Sequence, residues 1–399
     1  MNNSKQKRKV LILFNRVPYP LNNGGAMAMF NMVKEYAEQN FEVHILSMNT
    51  SKHFVPERKV QSVFDSYAKV EFVYVDNRVT FIGLLQNLFS QNSYILSRFV
   101  SEDYNKKLKE LLYNTVYDII HLDALSSLLY IETIRKHSKA KVFYRAQNIE
   151  SQIWNRAAMR TNNPAKKIYL KIQTRRLEKF EWNAVNKADL ILPLSVSDEE
   201  IFRKHTDVSV ALLPVCVPVN SEYSDRLEVD DVFFIGAMDW APNAEGIEWF
   251  LKRIWPSLSK EFEQLKIYIA GSKTPDWLFG LKSETIFPEG EVGDSKRFML
   301  EHGIMIAPIL TGGGIRVKIL EAMALGKVVI ATTIAAEGLG ATDGLNILIA
   351  DSADQFIEKL KKCRDLRFRR LIGENALSFA RKNFSISKLS KALKQFDLS

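Results

Sequence analysis

Short apolar runs recur along this chain at residues 10–14, 43–48, 70–75, 119–122, 141–144 and 190–193, each followed by a long amphipathic stretch. A run of about four to eight apolar residues suits a strand covered on both faces, and the stretches between are long enough for crossover helices. The alternation predicts a mostly parallel sheet wrapped by helices. The rhythm restarts at 231–235 and continues at 265–270, 303–307, 327–331 and 346–349, so a second doubly wound domain is expected. Residues 212–220 (LLPVCVPVN) hold two prolines within five residues and no helical period, which suits a connection between domains. The expected division is therefore an N-terminal Rossmann-like domain over 1–212 and a C-terminal one over 213–384. The last stretch, 385–399, carries Ile386, Leu389, Leu393 and Phe396 at helical spacing; it caps the second domain or returns to the first.

A chain of 399 residues with 46% hydrophobic and 25% charged content fills two ordinary cores and argues against disorder. Lys5, Lys7, Arg8 and Lys9 precede an apolar run that ends at residue 14, too short for the apolar region of a signal sequence. The stretch 81–100 is interrupted by Gln86, Asn87, Ser90, Gln91, Asn92 and Ser93, so no spanning helix is expected. Within it Phe81, Leu84, Leu85, Leu88 and Phe89 have helical spacing. Such a stripe is more often core; the lesser reading is a face lying on a bilayer. Cys216 and Cys363 support neither a disulfide framework nor a zinc site. A cytoplasmic protein follows as the expectation, with the inner face of the membrane left open by that stripe. The net charge of +9 attracts phosphate-bearing ligands, anionic lipid or nucleic acid. The basic residues are scattered and lack interleaved aromatics, so nucleic acid is not expected as a partner.

Open parallel sheets bind ligands outside the carboxyl ends of their strands, which directs attention to the loops after these runs. The first, NRVPYPLNNGG at 15–25, ends in Gly24 and Gly25 ahead of a helix expected from Ala26. Paired glycines there let backbone amides approach an anion, and a glycine-relieved turn is an equally good reading. The spacing is not that of a dinucleotide fingerprint. His121 and Asp123 share one face of their strand, and a lone histidine in such a place is more often structural. Residues 145–151, RAQNIES, form a polar cluster in which Arg145 and Gln147 suit a substrate and Asn148 suits a helix cap.

In the second half the loop from Gly236 to Asn243 (GAMDWAPN) precedes a helix expected over 245–254. Trp240 offers an aromatic plate and Asn243 an amide to a base or phosphate; alternatively Trp240 packs and Asn243 caps. The most specific segment is TGGGIRVKILE at 311–321. Gly312, Gly313 and Gly314 let amides converge on an anion, and a helix expected from Ile315 adds the positive end of its dipole. Arg316 in the first turn opposes that dipole unless an anion compensates. Lys318 and Glu321 are one turn apart and suit an ion pair. As a ligand contact, Glu321 accepts two hydroxyl hydrogen bonds from a ribose, since a carboxylate has two acceptor oxygens and no donor.

The glycine pair at 24 and 25, the segment Gly236 to Asn243, the segment Gly312 to Ala324 and the run Ala336-Glu337-Gly338-Leu339 together resemble the retaining glycosyltransferases of family four. More narrowly the chain is similar to a subgroup from bacterial exopolysaccharide and capsule clusters, over almost its whole length. The resemblance implies the α/β GT-B fold: two facing doubly wound Rossmann-like domains with a nucleotide-sugar donor in a central cleft. It implies sugar transfer from a UDP- or GDP-sugar to a glycan or lipid-linked acceptor, without metal or other cofactor. Retention comes from same-face attack, with the leaving diphosphate taking the acceptor's proton. Donor binding is expected at Gly24, Gly236, Trp240, Asn243, Gly312, Gly313, Gly314, Ile315 and Glu321. Charge on the leaving diphosphate falls to Gly25, Arg316 and Lys318, and sugar or acceptor contacts to Asp123, Arg145 and Gln147.

Three positions depart from the family pattern. Of its two glutamates eight residues apart, Glu321 matches the second, on the ribose, while Gly313 stands in place of the first, beside the donor sugar. The family's Arg and Lys after the second domain's first strand are missing, and Arg316 and Lys318 are expected to supply that charge. Gln147 stands where relatives carry a histidine, and it cannot exchange a proton near neutral pH. These departures leave two alternatives, a catalytically silent GT-B nucleotide- or glycan-binding protein and a nucleotide-sugar epimerase.

Overall fold

The computed structural model describes residues 7–21, 24–88, 90–219 and 231–397; Asn22, Asn23, Phe89 and Asn220 lie outside the described residues. Two sheets account for the recurring apolar runs. The first contains β1 (Lys9–Phe14), β2 (Glu42–Thr50), β3 (Ala68–Val75), β4 (Ile119–Asp123), β5 (Lys141–Ala146), β6 (Leu190–Pro193) and β7 (Ser209–Val210), in the order β3-β2-β1-β4-β5-β6-β7. The second contains β8 (Asp231–Ile235), β9 (Lys266–Ala270), β10 (Ile286–Gly290), β11 (Ile304–Ala307), β12 (Val329–Ala331) and β13 (Leu348–Ile349), in the order β10-β9-β8-β11-β12-β13. Every pairing between these strands is parallel. Helices cover both faces of such a sheet, which is why Val10, Leu11, Ile12 and Leu13 are all fully buried and read as one unbroken run.

Each sheet reverses its winding beside its first strand, at β1/β4 and at β8/β11. There the loops leaving neighbouring strands diverge and open a crevice at the carboxyl ends. The strands that the apolar runs do not announce, β7 and β10, are both sheet edges. β7 has only two residues and β10 is half exposed and contains Pro288, so neither carries a buried run.

One compact unit takes in the chain to Pro214 together with everything from Leu389 onward, and the other spans Val215–Lys388. The chain passes between the units after Pro214, within the proline-bearing stretch 212–220. The C-terminal helix Ile386–Asp397 returns to the first unit, where the Gln39 amide donates to the Ser390 carbonyl at 3.2 Å. Each unit has its own apolar core, built around Leu13, Leu46, Leu122 and Tyr144 in the first and Phe233, Ile306, Leu320 and Ile330 in the second.

Helix boundaries differ from expectation where backbone chemistry intervenes. The first helix, Gly24–Glu38, begins at the glycine pair itself. In place of one helix over 245–254 there is an α-helix, Ala241–Trp249, with Pro242 in its first turn, then a π-helical turn, Phe250–Ile254. Pro256 opens the next helix, Trp255–Glu261; its ring lacks an N–H and crowds the preceding carbonyl, and the wider turn accommodates it. The helix expected from Ile315 is Val317–Ala324, with Arg316 as its N-cap residue.

The stripe at Phe81–Leu88 is not core. Phe81 is 74% exposed, Ile82 68%, Leu85 47% and Leu88 42%. The helix is held by polar groups at its end: Arg176 Nη1 donates to the Asn87 carbonyl and Gln173 Nε2 to Asn87 Oδ1, each at 2.8 Å, from the long helix Pro164–Val185. These bonds face the helix terminus and leave the apolar side uncovered.

Candidate functional site

In the second unit β8 and β11 are neighbours, so the loops that follow them meet. Their approach is close: a Cβ on Gly246, in the helix Ala241–Trp249, would stand 2.4 Å from the Pro308 carbonyl oxygen, so only glycine fits. Gly312 has φ +100°, which favours glycine, and a Cβ there would lie 3.2 Å from the Trp240 ring and 3.1 Å from Arg316 Nη2. Trp240 therefore lies against the glycine loop, and the residue is 39% exposed. The Arg316 guanidinium sits 4.9 Å from the Trp240 ring centroid, a cation–π distance. Its Nη1 donates to the Gly313 carbonyl and to that of Gly314 (3.2 Å), and its Nη2 to that of Thr311 (3.3 Å). The cation expected at a diphosphate is thus turned onto the carbonyls of the loop beside it.

Lys318 Nζ donates to Glu321 Oε2 at 2.7 Å and to Ser295 Oγ at 3.0 Å. The ion pair forms, and it uses one carboxylate oxygen; Oε1 has no hydrogen-bond partner among the described residues and stays available to a ligand hydroxyl. Asn243 takes the local role: its Nδ2 donates to the Ala237 carbonyl at 2.8 Å and its backbone N–H to that of Trp240 at 2.9 Å, pinning the loop against Gly236. Ile315 packs partly buried against the core. Gly314 has φ +76°, whereas Gly313 lies outside the left-handed region, so its backbone does not demand glycine.

In the first unit the ends of β1, β4 and β5 lie side by side, with Phe14 opposite Asp123 and Asp123 opposite Arg145. Asp123 is buried; its Oδ1 accepts Arg145 Nη1 at 2.8 Å and its Oδ2 accepts Gln147 Nε2 at 3.0 Å. The three residues expected at the sugar or acceptor therefore meet. Ala124, the next residue, has φ +88° and ψ 156°, a strained conformation for a side-chain-bearing residue that costs of order 1–3 kcal/mol. Arg16, two residues beyond β1, is partly buried, and Asp123 is the charged group that acts on it; burial lowers its pKa. Gly24 and Gly25 supply the first amides of a helix whose opening turn contains no acidic residue, and those amides have no partner within the helix.

His121 is structural. Its ring is fully buried, with Nδ1 3.1 Å from the Tyr36 hydroxyl, and burial lowers its pKa to about 4. Asn148 does not cap the helix Glu150–Arg160; its Nδ2 donates to Glu150 Oε1 at 3.3 Å. The cap is Glu181 from the Pro164–Val185 helix, whose carboxylate accepts the N–H groups of Glu150 (2.8 Å) and Ser151 (3.0 Å). Glu181 is fully buried, and desolvation raises its pKa to about 7 against the lowering effect of those two bonds. Sequence reasoning misses both Arg16, in the loop after the first apolar run, and Glu181, which carries no local signal.

Residues 230–365 match the family described as Glycosyl transferases group 1. Over 96% of its length the chain is 24% identical to an uncharacterized 44.6 kDa protein in the cps region of Klebsiella pneumoniae, of which it covers 98%. Among solved structures it is similar to sucrose-phosphate synthase from Thermosynechococcus elongatus (TM-score 0.70, 13% identity, 98% of both chains). It is likewise similar to HepE of Anabaena in complex with UDP and glucose (TM-score 0.67, 13% identity, 98% of this chain and 99% of that one), and to TarM (TM-score 0.71, 12% identity, 100% and 99%). The fold is the GT-B fold, and the family match supports a glycosyltransferase.

Proposed function

We propose that this chain is a retaining glycosyltransferase that moves a sugar from a UDP- or GDP-sugar to a glycan or lipid-linked acceptor in bacterial surface polysaccharide synthesis. The carrying observation is that the family match at 230–365 includes one built constellation: Trp240 against the Gly312–Gly314 loop, Arg316 on both, and Glu321 one turn beyond Lys318. The presence of UDP and glucose in the HepE complex supports this donor class, and the cps-region relative supports the pathway.

In this reading Glu321 Oε1 accepts a ribose hydroxyl, and Trp240 presents its exposed ring edge beside the nucleotide. Arg316 and Lys318 supply positive charge where the leaving diphosphate becomes more negative, and the amides of the glycine loop add fixed dipoles. The diphosphate takes the acceptor's proton as its bond to the anomeric carbon breaks, so the protein provides no nucleophile. Transfer is proposed to be independent of metal, which activity in excess EDTA tests.

Peripheral contact with an anionic bilayer belongs to the same proposal. Among the described residues no helix is long and apolar enough to cross a membrane. The exposed side chains of Phe81, Ile82, Leu85 and Leu88 nevertheless present an apolar face, tied to a helix that exposes Lys166, Lys171 and Arg175. Apolar insertion flanked by basic residues is the pattern that anionic headgroups attract.

Incubation of the purified protein with UDP- and GDP-sugars tests the activity. Donor hydrolysis or transfer that is lost in Arg316→Ala supports it. Binding without turnover supports the silent GT-B reading, and conversion of the donor with no acceptor, visible in product mass balance, supports an epimerase. Neither binding nor turnover with any donor overturns the proposal.

A further inference from the structure

We propose that Arg16, together with Arg145, Asp123 and Gln147, recognises a carboxylate or phosphate group carried by the acceptor sugar. The inference rests on the glycosyltransferase reading and narrows its acceptor to an anionic one.

The balance of charge points to an anion. Three neighbouring strand ends bring together two guanidinium groups and one carboxylate. Both oxygens of Asp123 are already engaged, by Arg145 and by Gln147. Asp123 thus balances one of the two guanidinium charges and leaves the other in excess. Arg145 Nε is buried and makes no hydrogen bond with any described residue. Arg16 makes no ion pair or hydrogen bond with any described residue, and Asp123 answers its charge only at longer range.

A partly desolvated guanidinium without a close counter-ion is destabilising unless something compensates. An anion from the ligand does so. A neutral sugar leaves the excess positive charge unanswered. A guanidinium instead matches the two oxygens of a carboxylate or phosphate with its planar fork. The backbone contributes as well: Ala124 holds a left-handed φ directly after Asp123, the kind of strain that persists where a site fixes its geometry. A carboxylate would come from a uronic acid and a phosphate from a phosphorylated sugar, and the two are separable by experiment.

The test measures binding of glucuronate, glucose 6-phosphate and glucose to the full chain by calorimetry, with and without saturating UDP. The expected result is that one or both anionic sugars bind about tenfold or more tighter than glucose, the better one naming the source. Arg16→Gln should abolish that preference and Arg16→Lys should keep part of it, with melting temperatures and UDP affinity held near those of the parent. Equal affinities for anionic and neutral sugars, or no binding of any, overturn the inference, as does a preference that survives in Arg16→Gln. Competition between UDP and the anionic sugar also overturns it, because Arg16 would then serve the donor diphosphate. If UDP binds and the preference is absent, only this inference fails; if no nucleotide binds, the function proposed above fails with it.

Discussion

The guanidinium of Arg316 lies 4.9 Å from the ring centroid of Trp240, across two loops that leave neighbouring parallel strands. Each residue positions the other: the ring holds the cation, and the cation binds the carbonyls of the glycine loop on which the ring rests. Truncating one should therefore loosen both. Trp240→Ala is expected to weaken UDP or GDP binding about tenfold and to lower kcat/KM further, while Trp240→Phe retains most of the affinity because it keeps a ring face for the cation. Calorimetry and initial rates check this. Nucleotide affinity in Trp240→Ala equal to that of the parent would remove Trp240 from the site.

Glu321 gives Oε2 to Lys318, and Oε1 is the oxygen proposed to accept a ribose hydroxyl. Hydrogen bonds to a charged group are worth about 1.5–3 kcal/mol, so Glu321→Ala should weaken nucleotide binding roughly ten- to hundredfold. The same substitution should leave the affinity for the 2′,3′-dideoxy nucleotide nearly unchanged, since that ligand has no ribose hydroxyls to lose. An equal loss for both nucleotides would assign Glu321 to the Lys318 pair and not to the ribose.

These two residues also mark how far the amino-acid order alone reaches. A parallel strand is buried on both faces, so its whole length is apolar, and β1 or β11 can be read directly; the edge strands β7 and β10 lack that burial and cannot. The glycine loop was legible because Gly312 needs a conformation that other residues resist. Its cation was legible as a charge but not as a direction, since only the fold shows Arg316 lying on Trp240. Arg16 and Glu181 were not legible at all. Their significance comes from Asp123 and from the Glu150–Arg160 helix, which are distant in the chain and adjacent only after folding. Periodicity likewise cannot tell an apolar stripe that faces a core from one left exposed, as Phe81 and Ile82 demonstrate.

The exposed stripe carries its own prediction. Ser substitutions at Phe81, Ile82 and Leu85 remove most of the apolar area available for insertion, at roughly 25 cal/mol per Å². The triple variant should lose co-sedimentation with phosphatidylglycerol-containing vesicles by about tenfold or more. Its melting temperature should change little, because these side chains contribute little to the core. Phosphatidylcholine vesicles should bind the parent weakly, given the basic residues of the adjoining helix. Equal sedimentation of variant and parent would assign the stripe to some other partner.

Stability against pH should carry the signatures of two buried groups that oppose each other. Burial raises the pKa of Glu181 from 4.5 to about 7, so the folded state holds that proton more tightly than the unfolded chain. Its contribution is complete below pH 4.5 and is lost as pH rises through about 7. Burial lowers the pKa of His121 from 6.5 to about 4, so its contribution is present above pH 6.5 and is lost as pH falls through about 4. Glu150, also raised by burial, adds to the loss on the alkaline side. Glu181→Gln cannot ionise, and it also gives up one of the two N–H bonds that cap the helix, so its melting temperature should be lower at pH 5. The informative quantity is the slope: the parent's melting temperature should fall between pH 5 and about 7.5 more steeply than that of Glu181→Gln. Parallel curves would mean that the carboxylate stays ionised throughout, held by the two amides against its burial.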